Sequence, residues 1–460
     1  MLSDCRGVPV STDDQSLINF LDQCLDTALA FDGDSVADIS RLLTDHPEFI
    51  MGHCFKAGML TQAMEVRIYD EMLASVEAAE AMADRANDRE RGHIRALRAW
   101  VDGDFFAAVQ HWETICTHHP FDLLALTLAH LTDVLLGDVV GQRDTVARVF
   151  DLWDESLPGY EFVLGFYSFG LEENRDFSHA EELGRRAVAI RPGHPYAIHA
   201  VAHVLEMQGR QSGGIWWMTS RQDAWANSNF RNHLWWHLSL YHMDLGQIDR
   251  VFEIYDAHLR SSETSGDKYE ELDASALLWR LNLMGVDVGE RWKELAVKWE
   301  ASAADTLYAF NDVHAMMTFV SAGKTDAAER LLNANERYID HASDANVAMS
   351  RIIGIPFCRA LQDFAGGDYK SCVDRILPVR YQTHRLGGSF AQRDIIGWTL
   401  LEASLRAGET DLALALANER TAAKPTSSQN WRMVARVHQA RGDTALAKRA
   451  DARHDALIIA

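Results

Sequence analysis

Residues 164–197 read LGFYSFGLEENRDFSHAEELGRRAVAIRPGHPYA. Apolar residues recur at i, i+3, i+4 and i+7 on both sides of a polar break at Asn174, which predicts two amphipathic helices joined by a short turn. The same kind of break recurs along the chain, at Gly103, Gly137, Asn174, Gly209, Gly246, Gly285, Gly323, Gly367, Gly408 and Gly442. Between breaks lie helical patterns such as DLLALTLAHLTDVLLG, ALLWRLNLMG and AERLLNANERYI. Gly or Asn suits a left-handed residue at a helix end, and a following Asp, Thr or Ser can cap the next helix.

Successive breaks are separated by about 34 to 44 residues, and the lower end of that range is the period of the tetratricopeptide repeat. Leu164, Gly165, Phe169, Ala180 and Pro192 fall near the places that repeat's consensus occupies, and WVDGDFFAAVQHWETICTHHP ends in the same way at Pro120. The expected fold is all-α, a right-handed superhelix (α-solenoid) of divergent tetratricopeptide-like helical hairpins. In such an array the first helix of each hairpin lines the inner surface. Residues 1–60 are less regular and read as an N-terminal helical cap, with the repeat array over 61–460.

The chain has 67 Asp and Glu against 44 Lys and Arg, a net charge of −23. Binding to nucleic acid depends on Lys and Arg neutralising phosphates, so the charge predicts no nucleic-acid partner, and no anionic membrane surface for the same reason. The six cysteines form no CxxC pair, which fits neither a zinc ribbon nor a disulfide framework. The opening MLSDCRGVPV lacks the basic and apolar regions of a signal peptide. A cytoplasmic protein is expected.

The chemistry is concentrated in IHAVAHVLEMQGR (198–210) and NHLWWHLSLYHMDLG (232–246). Counted back from Gly209, His199, His203 and Glu206 stand at −10, −6 and −3; counted back from Gly246, His233 and His237 stand at −13 and −9. At 100° per residue these offsets share one helical stripe, on the first helices of consecutive hairpins. Two His at i, i+4 is a recurrent way to hold adjacent coordination positions. His199, His203, Glu206, His233 and His237 are therefore the expected ligands of a divalent metal, zinc or iron. Trp216, Trp217, Trp225, Trp235 and Trp236 lie in the same stretch and can wall off a small-molecule pocket. His194 and His242 fall off the stripe and are read as structural.

Further candidates follow the same register. His314 in FNDVHAMM stands at −9 from Gly323, as His237 does from Gly246, with Asp312 beside it. Asp273 stands at −12 from Gly285, Glu172 and Glu173 close the helix before the His-rich one, and Gln392, Arg393 and Asp394 follow a Gly-Gly pair that could start a helix or admit a ligand. No GxGxxG, Walker A or GxSxG pattern is present to suggest a nucleotide site or a serine nucleophile.

The stretches FGLEE, AIHAVAHVLEMQGR, NHLWWHLSLYHMDLGQIDRVFEIYD, ELDASALLWRLNLMGVDVGERW, FNDVHAMM and GGSFAQRD together resemble the tetratricopeptide repeat protein 38 family. The likeness runs from about Asp45 onward and is strongest between Phe169 and Trp292. It implies a soluble α-helical repeat protein and carries no assigned reaction or catalytic residue.

The expected function is a helical-repeat protein with a His-rich, metal-centred site for a small molecule. A metal-dependent hydrolase is the leading chemistry, because a metal-bound water is a nucleophile near neutral pH. Glu206 is then a ligand or the base, and His314 with Asp312 moves protons or orients substrate. A mononuclear iron oxygenase comes second, since two His and a carboxylate can supply its ligand triad. The rival from another class is an adaptor that binds a peptide or protein partner in its groove. A metal-free enzyme using His as acid and base is a third reading.

Overall fold

The computed structural model describes residues 2–260 and 267–459. Apart from a two-stranded antiparallel pairing of Leu2–Ser3 with Pro9–Val10, the described regular structure is helical. The helices pack as antiparallel hairpins, the all-α repeat architecture expected. Examples are Leu123–Leu136 with Val139–Phe150, Tyr160–Glu173 with Phe177–Ile190, Lys268–Leu283 with Arg291–Glu300, and Ser428–Arg441 with Thr444–Ile459.

The turn chemistry is as the sequence implies, with one exchange. Every Gly of the ten breaks has a left-handed φ, from 65° at Gly209 to 82° at Gly103. Asp104, Asp138 and Asp368 then cap the helices that follow. At the tenth break Asn174 is not left-handed: its neighbour Arg175 takes φ 65°. The Asn174 amide instead donates to the carbonyls of Gly170, at 2.7 Å, and Val139. An orphan carbonyl at the helix end is thus met by a side chain, and the strained residue moves one place on.

The chain divides into two compact units: Met1–Val201 with Asp223–Arg231 and Ala342–Ala348, and Ala202–Gln222 with Asn232–His341 and Met349–Ala460. The division falls inside the helix Pro195–Met207 rather than near residue 60, and the helices of the expected cap (Gln15–Leu29, Ser35–Asp45, Ile50–Thr61) belong to the first unit. All six cysteines are free, and five are buried.

In the first unit a buried ion cluster ties neighbouring hairpins. Asp122 accepts from Arg89 at 2.7 Å and from the His93 ring at 2.9 Å while capping its own helix through Ala125 N–H. Asn229 also reaches the N-terminal helices, donating its backbone N–H to Phe31 and its amide to Gly33, each at 2.7 Å.

In the second unit the last hairpins return to the first helix. Thr426 donates to the Gln208 carbonyl at 2.6 Å, and Lys424 to Glu206 at 3.3 Å. Asp244 accepts from the Ser427 hydroxyl at 2.5 Å and from the Ser428 and Gln429 amides at 3.3 and 3.4 Å. Asp244 therefore serves as a second cap for the helix Ser428–Arg441, contributed from a residue more than 180 positions away. The Lys424 bond holds Glu206 through Oε1, which matters below.

Close helix packing gives a test by sign. A Cβ on Gly170 would stand 2.6 Å from the Gln142 carbonyl oxygen and 2.8 Å from Arg143 Cα, both backbone, whereas one on Gly397 would meet nothing closer than 3.8 Å. Gly to Ala in a helix ordinarily stabilises by up to about 1 kcal/mol, and overpacking costs about 1–3 kcal/mol. Urea denaturation should show Gly170→Ala less stable than wild type, and Gly397→Ala as stable or more so.

Candidate metal centre

The helices Pro195–Met207 and Arg231–Asp244 are enclosed on nearly all sides. Ile198, Val201, Val204 and Leu205 on the first, and every residue from Leu234 to Asp244 on the second, are buried. Polar groups placed there need partners within the protein. His203 and His237 have no exposed surface. Their rings lie 4.4 Å apart, centroid to centroid, and the His233 and His237 rings 4.7 Å apart. One nitrogen from each of His203, His233 and His237 lies within 4.8 Å of the others.

His233 and His237 each have a carboxylate on the Nδ1 side, bonded to the first and more distant from the second. His233 Nδ1 donates to Asp273, with the two carboxylate oxygens at 3.1 and 2.9 Å. His237 Nδ1 faces Glu206 Oε2 at 3.7 Å. The remaining nitrogens, Nε2 of each ring, face one another at 3.2 Å. The Asp273 carboxylate bonded to His233 Nδ1 selects the tautomer that carries its proton there, which leaves the His233 Nε2 lone pair directed at the His237 ring. A second lone pair on His237 Nε2 would repel it unless a proton or a cation stood between them. Two imidazole nitrogens about 2.0–2.1 Å from one zinc ion at a near-tetrahedral angle are separated by about 3.3 Å. The 3.2 Å spacing fits that edge.

Electrostatics disfavour an added proton that would make the pair an imidazolium, which leaves a neutral tautomer with its one N–H between the rings, or a cation. Burial, then the charges of His203, His233 and Arg280, holds His237 well below the usual imidazole range, so it is neutral at pH 7. Trp236 walls the site: it lies 5.3 Å from His233 at 13° between planes, edge-on to His237 at 4.8 Å, and under the Arg280 guanidinium at 5.3 Å. The His233 and Glu206 side chains retain 14% and 13% exposure, so the cluster reaches solvent on that side.

The other expected site residues divide. Glu206 is at the cluster, held by Lys424 through Oε1, while its enclosed Oε2 accepts no hydrogen bond among the described residues. His199 lies one turn before His203 on the same helix, in the first unit, with its ring 5.2 Å from Phe169 and from Phe230 and 5.7 Å from Tyr196. His314 Nδ1 donates to the Phe310 carbonyl of its own helix at 2.7 Å, and burial pushes the ring down to about 4. Asp312, two residues earlier, takes a hydrogen bond from Asn335, and burial pushes its carboxyl up to about 7. Asp312 and His314 are thus engaged with different neighbours and form no pair.

His194 packs edge-on against Phe162 at 5.0 Å, and His242 bonds Gln247 at 2.6 Å, as structural residues do. Glu172 and Glu173 are buried in the first unit. In GGSFAQRD the pair Gly387–Gly388 opens a helix that Ser389 caps with Gln392, and Asp394 pairs with Arg420 at 2.7 and 2.9 Å. Sequence reasoning missed Arg280 and Lys424, and it listed Asp273 without its partner. Asp273 and Arg280 are seven residues apart on one helix face, a signal that the apolar run around Arg280 concealed.

No protein-family model matches the chain. Among solved structures, the human IFIT1 dimer with PPP-AAAA is 14% identical, covering 95% of this chain and 99% of its own, at a TM-score of 0.41. The human IFIT1 dimer with m7Gppp-AAAA is 15% identical over 96% and 99%, at 0.40. The Naa15/Naa10 structure bound to HypK-THB is 12% identical over 95% and 63%, at 0.26. These neighbours correct one expectation. A nucleic-acid partner was excluded on net charge, yet IFIT1, aligned over almost its whole length, is seen with PPP-AAAA and m7Gppp-AAAA. Net charge is a sum over the surface and does not fix the potential inside any one groove, so the exclusion is withdrawn. No helix of the described residues is long and apolar enough to cross a membrane.

The buried neutral histidines make stability depend on pH. His314 is held at about 4 against an ordinary value near 6.5, so between these values the unfolded chain binds more protons than the folded one. Its contribution is complete above pH ~6.5 and is lost as pH falls towards 4, amounting to about 2 kcal/mol by pH 5. His130, also pushed down to about 4 by burial, acts in the same direction. Urea denaturation at pH 7 and pH 5 should show a fall in stability that is smaller in His314→Gln.

Proposed function

We propose that this chain is a helical-repeat protein of the tetratricopeptide repeat protein 38 type whose second unit binds a divalent metal, zinc in preference to iron, and uses it to hydrolyse a small-molecule substrate. The observation that carries the reading is the facing pair of Nε2 atoms of His233 and His237, 3.2 Å apart, each ring backed by a carboxylate at Nδ1. His203 supplies the third imidazole. Three imidazole ligands leave a coordination position for substrate or water, the arrangement of catalytic rather than structural zinc sites. The carboxylates face the far nitrogens of the rings, so the set resembles a three-histidine site more than the two-histidine, one-carboxylate triad of iron oxygenases.

A divalent ion held there acts as a Lewis acid on a carbonyl or phosphoryl oxygen. The protein's own groups do the rest. Asp273 fixes the His233 tautomer and ring orientation, and Glu206, pinned by Lys424, stands 3.7 Å from His237 Nδ1. Trp236 limits water around both rings. His314, its Nδ1 proton committed to Phe310, presents a neutral ring at pH 7.

Elemental analysis of purified protein tests this reading directly. Stoichiometric zinc is expected in the wild type and none in the His203→Ala/His237→Ala double variant. Asp273→Asn should keep its fold and bind zinc about ten- to a hundredfold more weakly. A metal-free wild type whose urea stability is unchanged by chelator and by added zinc would leave the peptide-binding adaptor as the better account.

A further inference from the structure

Among the described residues, Arg280 is a buried cation with no carboxylate in contact. Its side chain is 2% exposed. Nη1 donates to the Ala276 carbonyl one turn back at 2.9 Å, Nη2 donates to the Ala391 carbonyl at 2.5 Å, and the guanidinium lies 5.3 Å from the Trp236 ring centroid. These bonds use two of its five N–H donors, and both acceptors are neutral.

Three carboxylates lie within range of its field: Asp394, Glu206 and Asp273. Each is engaged elsewhere, Asp394 by Arg420, Glu206 by Lys424 and Asp273 by His233. Charges buried in proteins are ordinarily paired. Burial pushes this guanidinium down to about 10, which still leaves it charged at pH 7. Its charge is felt by the rings of both His237 and His314, which places it beside the histidine cluster.

The local charges make the same point. Asp394, Glu206 and Asp273 balance Arg420, Lys424 and Arg280, so a divalent ion on the histidines would leave two positive charges uncompensated. A guanidinium's planar fork matches the two oxygens of a carboxylate or phosphate group.

We infer that Arg280 receives the oxyanion group of a small ligand, a carboxylate or a phosphate, held next to the His233–His237 pair. The inference deepens the metal reading, since a ligand anchored on Arg280 would have its reacting end at the ion. It rests on that reading only in part, because the absence of a contacting carboxylate at Arg280 among the described residues does not depend on a metal.

The test is calorimetric titration of inorganic phosphate and, separately, succinate into the full chain, both chelator-treated and zinc-reconstituted. Wild type, Arg280→Met and Arg280→Lys are compared, and zinc content is measured on the same samples. The wild type should bind at least one anion saturably, and which one identifies the group. Binding should weaken about tenfold or more in Arg280→Met, and also in Arg280→Lys, which keeps the charge and loses the fork.

A wild type that binds neither anion, with or without zinc, overturns the inference. So does unchanged affinity in a folded Arg280→Met, or in Arg280→Lys should the methionine variant fail to fold. Anion binding without zinc uptake upholds Arg280's role and removes the metal reading. Zinc uptake without anion binding does the reverse.

Discussion

The second unit depends on a constraint set by two ring nitrogens. Imidazoles of His233 and His237 are enclosed with their Nε2 atoms 3.2 Å apart, and each ring has a carboxylate behind its Nδ1. A carboxylate is a strong acceptor and draws the proton to its own side of the ring. Satisfying both carboxylates leaves the inner nitrogens facing each other as bases. Moving a proton inward to relieve one contact leaves a carboxylate facing a lone pair. A cation bound by both Nε2 atoms would remove both conflicts at once.

Holding this geometry requires both carboxylates to be held as well. Asp273 is buried on its helix and bonded to His233, which fixes its orientation. Glu206 lies near a helix C-terminus, where the backbone dipole disfavours negative charge, and Lys424 from the returning C-terminal hairpin offsets that. Asp244, one hairpin on, bonds the same returning segment through Ser427 and Ser428. Closure of the second unit and placement of Glu206 are thus one structural fact. Loss of the last hairpins would free the carboxylate that orients His237.

Much of this was legible in the sequence, for a physical reason. Left-handed turns demand Gly, so nine of the ten breaks announced themselves, and the exception at Asn174 was relieved by Arg175 through a side-chain bond that no pattern encodes. The helical stripe at −13, −9, −6 and −3 brought His233, His237, His203 and Glu206 together because period and hairpin register are local properties. The partners that give the site its chemistry were not local. Asp273, Arg280 and Lys424 reach the cluster from other hairpins, and only packing selects them from the chain's other charged residues. The register that pointed to His314 was sound, but its Nδ1 is taken by Phe310. Asp312, at i−2, necessarily points to another face of the helix.

The positions of the carboxylates also bear on how such a site would work. A carboxylate bound directly to an ion lowers its charge and with it the polarising power. Here the acidic groups are one imidazole away, so with an ion bound they would raise the basicity of the rings and leave its charge less diminished. Arg280 adds a further positive charge in a region of low dielectric. A site with imidazoles at its centre, carboxylates at one remove and a guanidinium without a contacting anion at its side attracts negative charge, although the chain as a whole carries −23. The surface acidity and a buried positive charge coexist because burial separates them: surface charges act through water and ions that screen them, whereas the charge of the enclosed Arg280 is screened far less.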